Sequence, residues 1–199
     1  MTDPVEAGLR AALARPAGPS SDFDLNPDLR PPADKALRPA GVLVPIWLRP
    51  DGAALILTKR SSHLKHHPGQ IAFPGGKVDA TDASPEAAAL REAREEIGLD
   101  PLRVQILGTL PVHETVTGFA MTPFVGLLRG DFTPVPEAGE VEEVFTVPLS
   151  HVTSPDRFAI EHRRWMGVSR RYYTVPYGPY YIWGATARVL RGLAERVGP

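Results

Sequence analysis

The chain has 199 residues, of which 43% are hydrophobic, and a formal net charge of −1. This length and composition are typical of one globular domain with extensions, and the charge gives no overall attraction to nucleic acid or to an anionic membrane. The sequence contains no cysteine, which excludes disulfide bonds and thiolate metal sites. The first residues have no basic segment followed by an apolar core, and no apolar run approaches the roughly 20 residues of a membrane span. We therefore expect a cytoplasmic protein.

Residues 1–40 are predicted to form an N-terminal extension to a domain that covers 41–199. Asp3 is a favourable helix N-cap and Pro4 suits the first helical position, so a short helix is expected here. Residues 16–40 are rich in proline and polar side chains. They are interpreted either as an ordered wrap around the domain or as a linker.

The domain itself is predicted to contain more strands than helices. The apolar segments that read as strands are 41–48, 53–60, 103–112, 119–129 and 141–149. The first two are joined by the turn sequence RPDG, which predicts a hairpin. Residues 170–184 read as strand or loop, and 185–198 as an amphipathic helix. With a further helix in mid-chain, this order favours an α+β or mixed layered fold.

The mid-chain helix is bounded by strong capping signals. Ser84 is a good N-cap, Pro85 fits the first helical position, and Gly98 is a natural C-cap, so the helix is predicted over 85–97.

Three carboxylates follow one stripe of this helix. At about 100° per residue, Glu96 lies near 40° and Glu95 near 300° when Glu92 is set at 0°. Like charges at this spacing repel one another, but a divalent ion would neutralise them. The preceding loop adds Gly75 and Gly76, whose backbone can approach closely. The pattern predicts an oxygen-rich site for Mg²⁺ or Mn²⁺, and the alternative is a solvated acidic face.

A basic cluster precedes this acidic helix. The segment 57–76 holds three cationic residues and three histidines: Lys59, Arg60, Lys65, His63, His66 and His67. A cationic arm beside a metal site suits a substrate with phosphates at two places. The alternatives are a solvated loop or a zinc site, and no helical H-x-x-x-H pair supports zinc.

The segment REAREEIGL, residues 91–99, resembles the second half of the Nudix box. The first half departs from the usual spacing, because five residues after Gly76 the chain reaches Asp82, where the family has glutamate. Asp82 is our candidate partner for Arg91, with Asp79 and Glu86 as alternatives. The resemblance implies an α/β/α sandwich around a mixed sheet and hydrolysis of a nucleoside diphosphate linked to another group.

The upstream segment is similar to a narrower motif, that of the coenzyme A pyrophosphatase branch. The matching residues are Leu57, Thr58, Arg60, Ser61, Gly69, Phe73, Pro74, Gly75 and Gly76. Lys65 stands where that branch usually has arginine. This resemblance implies cleavage of coenzyme A into 3′,5′-ADP and 4′-phosphopantetheine, with substrate-binding roles for Arg60, Lys65, Gly69, Phe73, Gly75 and Gly76.

Under this interpretation the helix supplies the metal ligands. Glu92 and Glu96 are the core ligands, and Glu95 is a third ligand or a base acting through water. A backbone carbonyl of Gly75 or Gly76 is a further candidate ligand. A later acid is expected to join the site, and its candidates are Glu114, Glu140, Glu142 and Glu143, with Glu140 favoured because it begins a predicted strand.

Two other functions stay open at this point. The substrate could be ADP-ribose, a dinucleotide or a damaged nucleoside triphosphate. The fold could also serve as a ligand sensor without catalysis, although such modules typically lose carboxylates that this chain keeps. The sequence does not indicate an oligomeric state.

Overall fold

The computed structural model describes residues 3–31, 36–165 and 167–197. Its helices are α1 (Pro4–Ala14), α2 (Pro85–Ile97), α3 (Leu149–Val152) and α4 (Gly184–Val197). Its strands are β1 (Ser20–Ser21), β2 (Arg38–Arg49), β3 (Gly52–Arg60), β4 (Ile71–Ala72), β5 (Gly75–Lys77), β6 (Val104–Thr109), β7 (His113–Glu114), β8 (Phe119–Arg129), β9 (Val141–Pro148), β10 (Ala159–Trp165) and β11 (Val168–Thr174). Single 3₁₀ turns lie at Pro27–Leu29, Pro101–Arg103 and Pro155–Arg157.

The main sheet is mixed, and its centre is the parallel pair β2–β8. Its strands follow the order β1, β7, β8, β2, β3, β4, while β5 pairs with β2, β6 with β8, and β9 with β3. The predicted β2–β3 hairpin is confirmed, with Ile46 opposite Leu55 in an antiparallel register. The strands β10 and β11 form a separate two-stranded sheet.

Strand β2 is buried on both faces because helices cover the sheet on each side. Leu43 packs in a core with Ala93 and Ile97 of α2. Its neighbour Val44 belongs to the opposite core, which includes Leu190 of α4. Successive side chains of a strand point to opposite faces, so an uninterrupted apolar run fits a strand between two layers. The predicted α+β fold, an α/β/α sandwich around a mixed sheet, is confirmed.

The N-terminal residues pack against the rest of the chain. Helix α1 contacts α4 and β6, and Arg129 of β8 donates to Glu6 at 2.6 Å. Strand β1 pairs in parallel with β7, with Ser20 opposite His113. Residues 3–31 therefore form an ordered wrap, and the parts of the predicted extension at 1–2 and 32–35 lie outside the described residues. The predicted boundary at residue 40 falls inside β2.

One strand prediction is wrong and one strand was missed. The segment 103–112 is not one strand, because β6 ends at Thr109. The segment 170–184, predicted as strand or loop, contains both, since β11 ends at Thr174 and loop follows it. Strand β10 was missed altogether, because its sequence AIEHRRW lacks an apolar run or a regular alternation. Within the described part of the chain, no helix combines the length and the apolar character that a membrane crossing requires.

Candidate active site

Helix α2 begins and ends where its capping residues predict. The Ser84 hydroxyl accepts a hydrogen bond from the Ala87 amide at 3.1 Å, and Gly98 has φ 70° at the C-cap. The helix lies so close to β2 that a Cβ at Gly41 would be 1.9 Å from the Pro85 carbonyl oxygen. Only glycine permits this approach, which brings the carboxylate stripe of α2 over the end of β5.

The three carboxylates of the stripe lie in different surroundings. Glu96 is buried, with 4% of the residue exposed, whereas the side chains of Glu92 and Glu95 are 16% and 60% exposed. The Gly75 amide donates to Glu96 Oε2 at 3.2 Å. Gly75 has φ 151°, and a Cβ there would be 2.5 Å from the Gly41 carbonyl oxygen. The glycines of the loop therefore allow its backbone to reach the buried carboxylate.

Burial and neighbouring negative charge make proton release from these groups unfavourable. Burial, with a contribution from Glu92 and Glu140, raises the pKa of Glu96 to about 8, and the Gly75 amide and Arg60 oppose this rise. Burial likewise raises the pKa of Glu92, with Glu95 and Glu140 adding to the effect and Arg91 opposing it. Glu92, Glu96 and Glu140 thus act on one another electrostatically.

Glu140 differs from the other candidates for the later acid. Its charge raises the pKa of both Glu92 and Glu96, and its backbone carbonyl accepts from the Ser61 amide at 2.8 Å. The other three carboxylates have cationic or hydroxyl partners elsewhere: Glu114 pairs with Arg30, Glu142 with Lys59, and Glu143 with the Tyr180 hydroxyl. The lowered pKa of Glu142 comes from its hydrogen bond with Lys59.

Arg91 joins the loop before the helix to the carboxylate stripe. Its Nε donates to Asp82 Oδ1 at 2.9 Å and its Nη2 to Asp82 Oδ2 at 3.0 Å, a two-pronged arrangement. Its Nη1 donates to Glu92 Oε1 and to Glu95 Oε2, each at 3.0 Å. The hydrogen bonds from Arg91 and from the Asp79 amide lower the pKa of Asp82. Asp79 also lies 3.9 Å from the same guanidinium.

The donor set suits a hard divalent cation in its chemistry. Carboxylate oxygens are the ligands that Mg²⁺ and Mn²⁺ take, and a buried carboxylate with raised pKa is stabilised when a cation faces it. Across residues 3–31, 36–165 and 167–197, however, no three His, Asp or Glu side chains already form a metal cage. Arg91 is one reason that these carboxylates do not form a cage, because its guanidinium binds Glu95 and one oxygen of Glu92.

We predict that Gly76→Ala impairs activity by displacing Glu92. A Cβ at Gly76 would lie 2.5 Å from Glu92 Oε1, so the carboxylate must move. Because small misplacements of reacting groups slow catalysis strongly, kcat should fall about tenfold. The control is Gly8→Ala in α1, where nothing lies within 4 Å of the added atom. Equal kcat values for the two variants in a steady-state assay would count against the role of Gly76.

The raised pKa of Glu96 predicts how stability depends on pH in protein stripped of metal by a chelator. The folded state binds this proton more tightly than the unfolded chain, whose glutamate pKa is ordinary. Glu96 therefore contributes stability below about pH 4.5, and the contribution is lost as pH rises through about 8. Urea unfolding from pH 5 to 8.5 should show wild type losing stability relative to Glu96→Gln. Parallel profiles for the two proteins would show that Glu96 titrates normally.

A cavity of about 500 Å³ opens beside the carboxylates. Its wall includes Arg60, Phe73 and Gly75 from the predicted substrate-binding set. Gly75 also borders the carboxylate cluster, which consists of Glu92, Glu96 and Glu140, since its amide donates a hydrogen bond to Glu96. This volume lies within the usual range of small-molecule sites.

Three residues of that predicted set lie off the cavity wall: Lys65, Gly69 and Gly76. Lys65 is exposed. The loop 61–69 closes on itself, because the Arg60 amide donates to the Gln70 carbonyl and the Gly69 amide to the Arg60 carbonyl. Arg60 and Gln70 therefore line the cavity together, while Lys65, in the middle of the loop, does not. Lys65 therefore lies apart from the cavity wall that Arg60 shares with Gln70.

Sequence reasoning missed a large part of the cavity wall. This part is supplied by the β10–β11 sheet, the start of α4 and the N-terminal wrap, and its charged and aromatic members are Asp22, Arg163, Arg170, Arg171, Tyr172 and Trp183. The adjacent arginines and tyrosines in RRYY, residues 170–173, were the available signal. Basic residues interleaved with aromatics are typical of surfaces that bind nucleotides.

The chain is similar to known proteins over most of its length. A family model described as NUDIX domain matches residues 37–167. An uncharacterized Nudix hydrolase, NudL, from Enterobacter sp. (strain 638) is 45% identical over 161 residues, which are 81% of this chain and 83% of that protein. NudL from Escherichia coli (strain K12) is 44% identical over the same shares. A crystal structure of a Nudix hydrolase from M. smegmatis, RenU, superposes with a TM-score of 0.50 and 25% identity, covering 58% of this chain and 73% of that one.

Proposed function

This chain belongs to the Nudix hydrolase family, and we propose that its substrate is coenzyme A or a derivative, cleaved at the pyrophosphate bond into 3′,5′-ADP and 4′-phosphopantetheine or its acyl form. Hydrolysis of a nucleoside diphosphate derivative follows from the family. One observation carries the finer proposal. Besides Arg60, the cavity beside the carboxylate cluster has a wall with cationic and aromatic side chains, among them Arg163, Tyr172 and Trp183. Such a wall suits a substrate with a phosphorylated nucleoside in addition to its pyrophosphate.

We assign the metal-binding role to Glu92 and Glu96, whose charges act on each other and on Glu140. Enzymes of this family generally use divalent metal ions, and we propose Mg²⁺ or Mn²⁺. When bound, the metal neutralises pyrophosphate charge and lowers the pKa of a coordinated water. Glu96 would face the ion from its buried position beside Gly75. Glu92 would turn one oxygen to it while Arg91 holds the other.

The proton of the attacking water needs a carboxylate to accept it. We assign this role to Glu140, which is exposed, directly precedes β9 and acts electrostatically on Glu96. Glu95 is the alternative base, but the Arg91 guanidinium already donates a hydrogen bond to its carboxylate. Arg60 would bind the pyrophosphate, because it lies on the cavity wall and its charge already acts on Glu96.

The proposal is tested by identifying products. The full chain is incubated with coenzyme A and Mn²⁺ or Mg²⁺, and the mixture is separated and analysed by mass spectrometry. We expect 3′,5′-ADP and 4′-phosphopantetheine in equal amounts, and neither product with Glu92→Gln. Release of free phosphate or adenine, or no cleavage at all with either metal, would refute it.

A further inference from the structure

His67 has an unusual backbone conformation at the cavity wall. Its φ is 54°, and it is the only non-glycine residue with a positive φ within residues 3–31, 36–165 and 167–197. The left-handed region is unfavourable for a residue with a Cβ, and the proline that follows His67 restricts it further towards extended backbone. Strained residues of this kind cluster at ligand-binding sites, so the strain points to a function for this side chain.

The turn that contains His67 does not require this strain. The Gln70 amide donates to the His67 carbonyl at 3.3 Å, which closes a four-residue turn with Pro68 second and Gly69 third. This is the residue pattern of a type II turn, which needs a positive φ only at its third residue. Gly69 meets that need with φ 69°. The left-handed backbone of His67 therefore comes in addition to what the turn demands.

No contact of the imidazole with the protein offsets the strain. In the part of the chain that the structure describes, the His67 ring makes no hydrogen bond, ion pair or aromatic contact. His67 is exposed and lines the cavity together with Arg60 and Gln70. The other two histidines of the basic cluster, His63 and His66, are exposed but lie off the cavity wall. The strained backbone thus brings an imidazole without a protein partner to the cavity.

The base of the loop that carries His67 is fixed to the rest of the fold. On one side, the Ser61 amide donates to the Glu140 carbonyl at 2.8 Å. On the other side, the Thr186 hydroxyl of α4 donates to the Ile71 carbonyl at 3.1 Å in a buried contact. The backbone at both ends of the loop is therefore in place before a ligand arrives, which reduces the entropy cost of binding.

The neighbours of His67 indicate a phosphate ligand. Arg60 lines the same cavity and its charge acts on Glu96, so this part of the wall borders the carboxylate cluster. Gly75 also lines the cavity and donates to Glu96. An imidazole donates one hydrogen bond in either neutral tautomer, and next to a guanidinium this donor suits phosphate oxygens. The anionic group of a substrate that must lie beside the carboxylate cluster is its pyrophosphate, which contains the bond to be cleaved.

We propose that His67 is a further substrate-binding residue, which donates a hydrogen bond to the pyrophosphate that Arg60 also binds. The inference rests on the proposed function for hydrolysis at a pyrophosphate, but it does not require that the substrate is coenzyme A. When the substrate binds, the new hydrogen bond offsets the unfavourable backbone of His67. The strain therefore lowers the stability of the free protein in exchange for a donor at the cavity.

Nucleotide binding to the full chain without metal tests this role. Isothermal titration calorimetry compares ADP, which carries a pyrophosphate, with adenosine, which carries no phosphate. His67→Gly should weaken ADP binding about tenfold, a typical loss for a hydrogen bond to a charged group, and leave adenosine binding unchanged. His67→Asn should show the same loss, because asparagine tolerates left-handed backbone but its amide is shorter than the imidazole.

The matched control for binding is His66→Gly. It adds the same backbone flexibility at the next residue, which is exposed and lies off the cavity wall. This variant should bind ADP as wild type does. A loss of ADP affinity in His66→Gly equal to that in His67→Gly would attribute the effect to loop flexibility and overturn the proposal.

Thermal unfolding separates a binding role of His67 from a structural one. Glycine adopts left-handed backbone readily, so His67→Gly should unfold at the wild-type Tm or above it. His66→Gly should lower Tm, because His66 has no positive φ that glycine could relieve. A Tm of His67→Gly as low as that of His66→Gly would assign the imidazole a structural role and overturn the proposal.

The remaining results separate this inference from the proposed function. Unchanged ADP binding in His67→Gly overturns the inference, as does an equal loss for ADP and adenosine. If coenzyme A is not cleaved but ADP binding depends on His67, the inference stands and the coenzyme A assignment fails. If coenzyme A is cleaved and His67→Gly keeps the wild-type kcat/KM, the proposed function stands and the role of His67 is wrong.

Discussion

Glu92→Gln and Glu96→Gln are each expected to lower kcat at least about a hundredfold, which corresponds to roughly 2.7 kcal/mol of barrier. Each change removes a negative oxygen ligand and keeps the size of the side chain. Glu96 should be the more sensitive, because its carboxylate is buried and accepts a hydrogen bond from the Gly75 amide. The measurement is steady-state hydrolysis at saturating Mn²⁺, with metal affinity determined separately by calorimetry.

Glu86→Gln is the matched control, since Glu86 lies in the first turn of the same helix, away from the cluster. It should keep wild-type kcat. Circular dichroism must show intact folding for all three variants. Near-normal turnover in both Glu92→Gln and Glu96→Gln at saturating metal would remove these residues from the metal site.

Arg91→Ala should lower kcat by at least about thirtyfold and also destabilise the fold. Arg91 holds the loop through Asp82 and one oxygen of Glu92 through Nη1, so its loss frees both the loop and the ligand. A catalytic group released from its position can lose two orders of magnitude in rate. Stability is measured by urea unfolding and activity by steady-state kinetics. Arg94→Ala, an exposed change on the same helix, should alter neither.

A double-mutant cycle identifies the partner of Arg91. Arg91→Ala and Asp82→Ala should be clearly non-additive in free energy of unfolding, because each removes the same two hydrogen bonds. Additive effects would shift the structural role to Asp79, which lies 3.9 Å from the guanidinium.

Local signals in the sequence were sufficient for most elements of the fold. Capping residues defined α2, and the turn sequence RPDG defined the β2–β3 hairpin, because these features depend on near neighbours in the chain. Strand β10 could not be predicted in this way, since it is charged and is held by pairing with β11 rather than by its own apolar pattern. The family resemblance supplied the α/β/α arrangement that short-range patterns left open.

The candidate site, like the fold, could be predicted only where it depends on near neighbours in the chain. Helical periodicity placed Glu92, Glu95 and Glu96 on one stripe, but it did not show how deeply each side chain is buried. Their different burial depends on the approach of Gly75 and on Arg91, which are tertiary contacts. The part of the cavity wall that includes Arg163 and Trp183 was missed because these residues are about 100 residues from the loop of Gly75 in sequence. Only the assembled fold brings them to one cavity.

Direct competition between coenzyme A and ADP-ribose tests the central claim most directly. Both substrates, at equal concentration in one reaction with saturating Mn²⁺, are followed by the appearance of 3′,5′-ADP and adenosine 5′-monophosphate. The ratio of their initial rates gives the ratio of kcat/KM values without separate assays. Coenzyme A is predicted to be consumed at least about tenfold faster, because it alone carries a phosphate outside its pyrophosphate that cationic side chains of the cavity wall can bind. Faster consumption of ADP-ribose would contradict the coenzyme A assignment and leave only the Nudix chemistry.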